Sequence, residues 1–201
     1  MIQPAHPHPP LVLLGGGDHG HVLADAADAA GLAVLGFLDD DPARATLAPD
    51  DPRLGHAQFL PAVGDNAARA ALLDRLLAEG RNLATLVHPD ATVSPLATLG
   101  RGVYVGPQAV VGPHATVGDA AIVNSAAVVE HHCALGVACH VAPAAALAGR
   151  VTVGDHALVG LGARVLPSLT LGPHATLAAG AVATRDVPAH TTALGVPARP
   201  R

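Results

Sequence analysis

The stretch VSPLAT LGRGVY VGPQAV VGPHAT VGDAAI VNSAAV VEHHCA LGVACH VAPAAA LAGRVT VGDHAL VGLGAR VLPSLT LGPHAT LAAGAV, running from Val93 to Val182, decides how this chain folds. It divides into fifteen six-residue units without insertion, each opening on Val or Leu and each carrying Ala, Val, Cys or Leu at its fifth place. A period of six fits neither a helix nor a simple alternating strand, and self-similarity at a fixed period marks a solenoid whose repeats bury one another. Three units make one triangular coil. The branched first residue and the small fifth residue point inward, and Gly, Asn, Asp or Pro turn the corners. Five coils at about 4.8 Å per strand rise to about 24 Å.

Outward positions eighteen residues apart form three ladders: Tyr104, Ile122, His140, Leu158, Thr176; Val110, Val128, Ala146, Arg164, Val182; and Thr98, Thr116, Ala134, Thr152, Thr170. The third is small and mildly polar and reads as the solvent face. The first two carry aliphatics that a monomer would not leave in water, so both are expected to be buried in a cyclic oligomer, most simply a trimer.

Some ninety residues of a different character precede the repeat. Leu11–Leu14 reads as a strand entering Gly15-Gly16-Gly17-Asp18-His19-Gly20, with an Ala-rich helix from 21 to 30 beyond it. Gly15, Gly17 and Gly20 satisfy G-x-G-x-x-G in its strand-turn-helix setting, where free amides at a helix N-terminus suit a phosphate. A second strand, 33–38, ends in Asp39-Asp40-Asp41, where a carboxylate can accept a ribose or base hydrogen bond. The same turn can equally serve with no ligand at all. Segments 58–63 and 82–87 read as third and fourth strands, and 67–79 as a helix capped by Asp65 or Asn66. The expected domains are a flexible Pro/His-rich tail over 1–10, a small Rossmann-like α/β domain over 11–88, and a β-helix with its C-terminal cap over 89–201.

Composition narrows the function. A net charge of -5 and 1% aromatic content disfavour a nucleic-acid partner. No apolar run nears the ~18 residues of a membrane span, and the start lacks a signal peptide's basic region, so a cytoplasmic protein is expected. Cys133 and Cys139 fall on inward fifth positions and read as buried thiols.

Among thirteen histidines, the corner Glu130-His131-His132-Cys133 stands apart, since Glu replaces the usual second-position Gly and two imidazoles share one turn. Gly149 stacks one coil above His131. A base beside an exposed glycine N–H is the minimum for acyl transfer, though two imidazoles on a corner can also be surface decoration. A zinc site would need a third ligand at coil spacing, and Arg150 follows His114 and His132 in their column.

With GGGDHGHV and LDDD, AVGDN, LVHPDATVSP, VVEHHC, LGVACHV, LAGRVTVG, VGLGARVLP and GVPAR, the chain resembles bacterial hexapeptide-repeat sugar O- and N-acyltransferases of the sialic acid O-acetyltransferase type. Within them it is most similar to the acetyl-CoA-dependent enzymes acting on UDP-linked 4-amino sugars. The resemblance implies a left-handed β-helix, acetyl-CoA as co-substrate, no metal and a homotrimer. It implies His131 as general base, with the Gly149 N–H facing the thioester carbonyl; with His132 in the place of the family's Glu, either Glu130 supports the base or activity peaks at higher pH. His140, Leu161 and Ala179 would line the acetyl-CoA groove between subunits. Gly17, Asp18, His19, Asp39, Asp40 and Gly64 would hold the nucleotide-sugar, with Asn124 near its amine. Relatives commonly keep Glu where His132 stands and a small residue at Asp18. The expected activity is N-acetylation of a nucleotide-activated amino sugar. O-acetylation of a sialic-acid-like sugar, or a non-catalytic scaffold or sugar-nucleotide sensor, are the alternatives.

Overall fold

The computed structural model describes residues 9–201, so most of the N-terminal tail lies outside it. The first domain contains β1 (Leu11–Leu14), α1 (Asp18–Ala29), β2 (Val34–Leu38), a 3-10 turn at Pro52–His56, β3 (Gln58–Pro61) and α2 (Asn66–Ala78). Its sheet is parallel, in the order β2-β1-β3. The central strand β1 is an apolar run buried throughout, as a strand covered on both faces requires. Asp65 caps α2 by accepting from the Ala68 N–H at 2.8 Å.

The fourth strand expected in this sheet is absent from it. Leu83 makes one bridge to Phe59, and the chain then leaves, so that β4 (Leu86–Val87) pairs in parallel with Tyr104–Val105. Solenoid pairing therefore starts at Leu86, because VHPDAT, residues 87–92, already has the hexapeptide pattern.

From there the chain is a left-handed parallel β-helix of roughly six turns, one turn more than the fifteen units alone imply. Up to Val182 the rungs pair at a spacing of eighteen, and the last ones, Thr176 with Thr192 and Leu171 with Val187, at sixteen. Ile122 lies between Tyr104 and His140 on the first face, Val128 between Val110 and Ala146 on the second, and Ala134 between Thr116 and Thr152 on the third. Val, Leu, Ala and both cysteines fill the prism from Val103 to Ala198. Cys133 and Cys139 are free and buried, and burial pushes the Cys139 thiol up to about 12.

At the corners the chain turns through the left-handed region, and the residues there are seldom glycine. His114, Ala120, Ala126, His132, Ala138 and Arg150, among others, have φ between 48° and 64°. The rung-to-rung hydrogen bonds on either side hold these corners, as at Ala138 N–H to Asp119 O, 2.8 Å.

The third face is solvent-exposed at Thr98, Thr116, Thr152 and Thr170, as expected. The first face is not. Tyr104 and Ile122 are 2% and 1% exposed because the N-terminal domain sits on them, packed with Leu11, Leu13, Leu23 and Leu60. Their expected place in a subunit interface is thus corrected: apolarity calls for burial without saying against what. The second face, with Val110, Val128 and Val182 half-buried, has no such cover within the chain. No helix among the described residues is long and apolar enough to cross a membrane.

Candidate functional site

Backbone geometry at the glycine-rich turn is fixed from two sides. Gly20 faces the Gly15 carbonyl so closely that a Cβ would collide with its oxygen, which brings α1 tight against the end of β1. From β2, Asp39 accepts from Gly16 N–H through Oδ2 at 2.7 Å and from Asp41 N–H through Oδ1 at 2.8 Å. Those bonds, Asp41's foremost, hold the Asp39 carboxyl below the usual range. Gly17 caps α1 in extended conformation, with no side chain on the first helical amides.

Beside this turn lies a cavity of about 700 Å³, floored by Leu14, Leu47, Phe59 and Leu76 and rimmed by Asp39, Asp40 and Arg75. It opens at the carboxyl ends of the strands, where the connections from β1 and β3 leave to opposite sides, the place where open α/β sheets take ligands. Of the expected nucleotide-sugar residues, Asp39 and Asp40 line it. Gly17, Asp18, His19 and Gly64 do not.

His19 and Gly64 instead look toward the solenoid, where Tyr104, Asn124 and His140 meet the N-terminal domain. The His19 ring stands edge-on to Tyr104, centroids 5.9 Å apart. Neither His19 Nε2 nor the Tyr104 hydroxyl has a partner among the described residues. Asn124 Oδ1 accepts from Ser125 N–H at 2.8 Å, which orients the amide so that its Nδ2 donates to His140 Nε2 at 3.0 Å. His140 is therefore a neutral imidazole with its proton on Nδ1. Burial first, then the charges of Arg69 and His19, press its pKa down to about 4, against a backbone hydrogen bond to Gly64. The pKa of His19 also falls to about 4, through burial and then Arg69.

Arg69, which the sequence reading missed, organises this junction. It lies on the inner side of α2, 1% exposed, and reaches carbonyls of both domains. Its only signal in the sequence is the spacing Asn66-x-x-Arg69, which puts two polar side chains on one face of a leucine-rich helix.

His131 stands at the corner between the second and third faces. The third-position column there reads Pro95, Pro113, His131, Gly149, Pro167. The Gly149 N–H has no acceptor among the described residues, and a Cβ at 149 would lie 2.5 Å from His131 Cε1 and Nε2. The ring thus rests over the glycine. Glu130 does not support that ring: its Oε2 accepts from the His131 backbone N–H at 3.3 Å. The ring's neighbour is His132, whose Nδ1 lies 3.1 Å from His131 Nδ1. Burial, then Arg150, His114 and His131, lower the His132 pKa.

Leu161 and Ala179 are exposed at the other edge of the second face, one above the other, with Gly180 N–H donating to Leu161 O at 2.8 Å. Asn124 lies on that edge too. Within one chain, the second face separates this group and His140 from His131 and Gly149. Among the described residues no group of three or more His, Cys, Asp or Glu side chains converges as a metal requires.

Perosamine N-acetyltransferase from Caulobacter crescentus, solved with CoA and GDP-perosamine, superposes with a TM-score of 0.90, is 40% identical, and is matched over 96% of this chain and 97% of its own. The chain belongs to the hexapeptide-repeat sugar acyltransferases. The acetyltransferase domain of PglB from Neisseria gonorrhoeae, solved with acetyl coenzyme A, is 34% identical over 96% of this chain and all of its own, with a TM-score of 0.89. WeeI from Acinetobacter baumannii, at 23% identity and a TM-score of 0.83 over 96% and 99%, shares the fold. Residues 10–76 of the acyltransferase match the PglD N-terminal domain family. No curated protein sequence matches it.

Two groups at this corner have no partner among the described residues: His131 Nε2, which can accept a proton, and the Gly149 N–H beneath it, a backbone donor left free.

Proposed function

We propose that the acyltransferase moves the acetyl group of acetyl-CoA to the amino group of a nucleotide-linked amino sugar. The observation that carries this reading is the His131 ring over the free Gly149 N–H. The amine proton passes to His131 Nε2 as the new N–C bond forms. The tetrahedral oxyanion meets the Gly149 N–H. Collapse breaks the C–S bond, and the proton on His131 goes to the departing thiolate, leaving an amide and CoA thiol. His132, in contact through Nδ1, fixes which nitrogen of His131 faces the substrate.

The nucleotide is assigned to the cavity rimmed by Asp39 and Asp40, and the thioester arm to the exposed edge at Leu161 and Ala179. Because those groups and His131 lie on opposite edges of the second face, one site draws on two subunits. A trimer that pairs second faces does this and also covers Val110, Val128 and Val182. The Caulobacter relative's complex with CoA and GDP-perosamine supports the substrate class.

The test is a screen of GDP-, UDP- and dTDP-linked amino sugars for acetyl-dependent release of CoA thiol. An alkali-stable product is expected. A product whose acetyl group is lost in mild alkali would mean ester formation and an O-acetyltransferase. No thiol release with any of them would sink the enzymatic reading.

A further inference from the structure

Arg69 is a buried cation with no carboxylate partner among the described residues. Its five N–H groups reach six oxygens, half on each domain. On its own side are Val63 O at 3.1 Å, Gly64 O at 3.0 Å and Asn66 Oδ1 at 2.8 Å. On the solenoid are Ala120 O at 2.7 Å, Ala138 O at 2.9 Å and Cys139 O at 3.2 Å. Removing a charge from water costs several kcal/mol, and only a fully occupied set of charge-assisted bonds offsets that. Burial lowers its pKa to about 10, which still leaves it charged at neutral pH.

Two of the six acceptors bear on one side chain. The Gly64 backbone faces the His140 ring, whose Nε2 is taken by Asn124. Cys139 O belongs to the peptide that leads into His140. The guanidinium therefore fixes both the backbone entering His140 and the Gly64 carbonyl beside its ring. We propose that Arg69 is a positioning residue, seating the N-terminal domain on the solenoid so that His140 keeps a single tautomer and orientation at the junction of the two substrate-binding halves.

Lysine cannot replace it, because an ammonium has three donors and no fork. The inference rests on the proposed reading that nucleotide and thioester occupy the two halves, and the experiment separates the two. Nitrogen-15 spectra of histidine-labelled protein read the His140 tautomer without any substrate. The parent is expected to show one neutral form protonated on Nδ1. Arg69→Lys is expected to mix the tautomers while far-UV spectra and assembly mass stay unchanged. Its kcat falls about 10²-fold, the scale of a misplaced reacting group, with KM for the nucleotide sugar within threefold.

Asn66→Ala removes one acceptor from Arg69 and two bonds to the solenoid, and is the milder probe if Arg69→Lys does not fold. It is expected to shift the His140 signals in the same direction. Unchanged His140 signals in either folded variant overturn the proposal. Loss of CoA release in the parent with every nucleotide sugar would strike the functional reading alone, leaving the spectra to decide the role of Arg69.

Discussion

The imidazole of His131 occupies the space that a side chain at residue 149 would fill, its Cε1 and Nε2 both 2.5 Å from where that Cβ would stand. Gly149→Ala should therefore disarm the base without touching it. Its backbone is outside the left-handed region, so the fold is expected to survive while kcat drops about 10²- to 10³-fold, the scale of a lost oxyanion donor. His131→Ala should cost about 10²- to 10⁴-fold. Single-turnover rates of the two variants and of the double variant check this, since groups acting as one unit give losses that do not add.

His132 offers a test of direction. Placing a carboxylate beside an imidazole raises its pKa and makes its neutral form a stronger base, so His132→Glu should move the rising limb of the rate profile to higher pH. His132→Ala should lose far less than His131→Ala. If instead His132→Ala is the more damaging of the two, the base lies one residue later.

Neighbouring aspartates should separate cleanly. Asp39 holds two backbone amides, so Asp39→Ala should cost about 1–3 kcal/mol of stability, read as a lower denaturant midpoint. Asp40 is exposed on the cavity rim and is expected to leave stability alone. Asp40→Ala should raise KM for the nucleotide sugar severalfold and leave that for acetyl-CoA nearly unchanged. Equal changes in both constants would remove the cavity from the reaction.

Assembly should respond at Val128 rather than at Ile122. Val128→Asp puts a charge on the uncovered second face and is expected to turn a trimer into monomers in sedimentation, with loss of activity if the proposed two-subunit site holds. Ile122→Asp should unfold or undock the N-terminal domain, since full burial of such a side chain is worth about 1.5–3 kcal/mol. A wild-type monomer at micromolar concentration would exclude the shared site.

Acid should loosen the interdomain junction. His19 and His140 have folded pKa values of about 4 against an ordinary 6.5, so the folded state holds them neutral. Between pH 6.5 and 4 the unfolded chain binds protons that the folded chain refuses. Stability is then full above about pH 6.5, is lost as pH falls toward 4, and changes no further from these groups below that. A melting-temperature series should show this slope, and His140→Gln should flatten it.

How much of this was legible in the sequence depended on whether a residue's partner was local. A six-residue period is local, so the prism, its inward cysteines and its polar third face were all readable from one coil. The His131–Gly149 pair was readable as well, because a separation of eighteen is itself a rule of the fold. Arg69 was not, since its acceptors on the solenoid are backbone carbonyls up to seventy residues away, and a carbonyl has no identity in a sequence. Tyr104 and Ile122 were read as apolar and outward, which is correct, but the nearest cover turned out to be the chain's own first domain. For Glu130, proximity in sequence misled, as the carboxylate turned to the main chain and left the ring to His132.

The first turn of α2 touches three successive corners of the prism: Arg69 binds the carbonyls of Ala120 and Ala138, and Asn66 that of His156 at 3.0 Å. It works as a gauge two rungs long, about 9.6 Å at the spacing of paired strands. The coils from 120 to 156 are therefore locked in number, and an eighteen-residue insertion there would throw the gauge off pitch, with His131 and Gly149 caught inside the disturbed span. Above Gly160 no such gauge exists. A coil added between Leu171 and the C-terminal cap would lengthen the prism and leave His131 and Gly149 in their present position relative to the N-terminal domain.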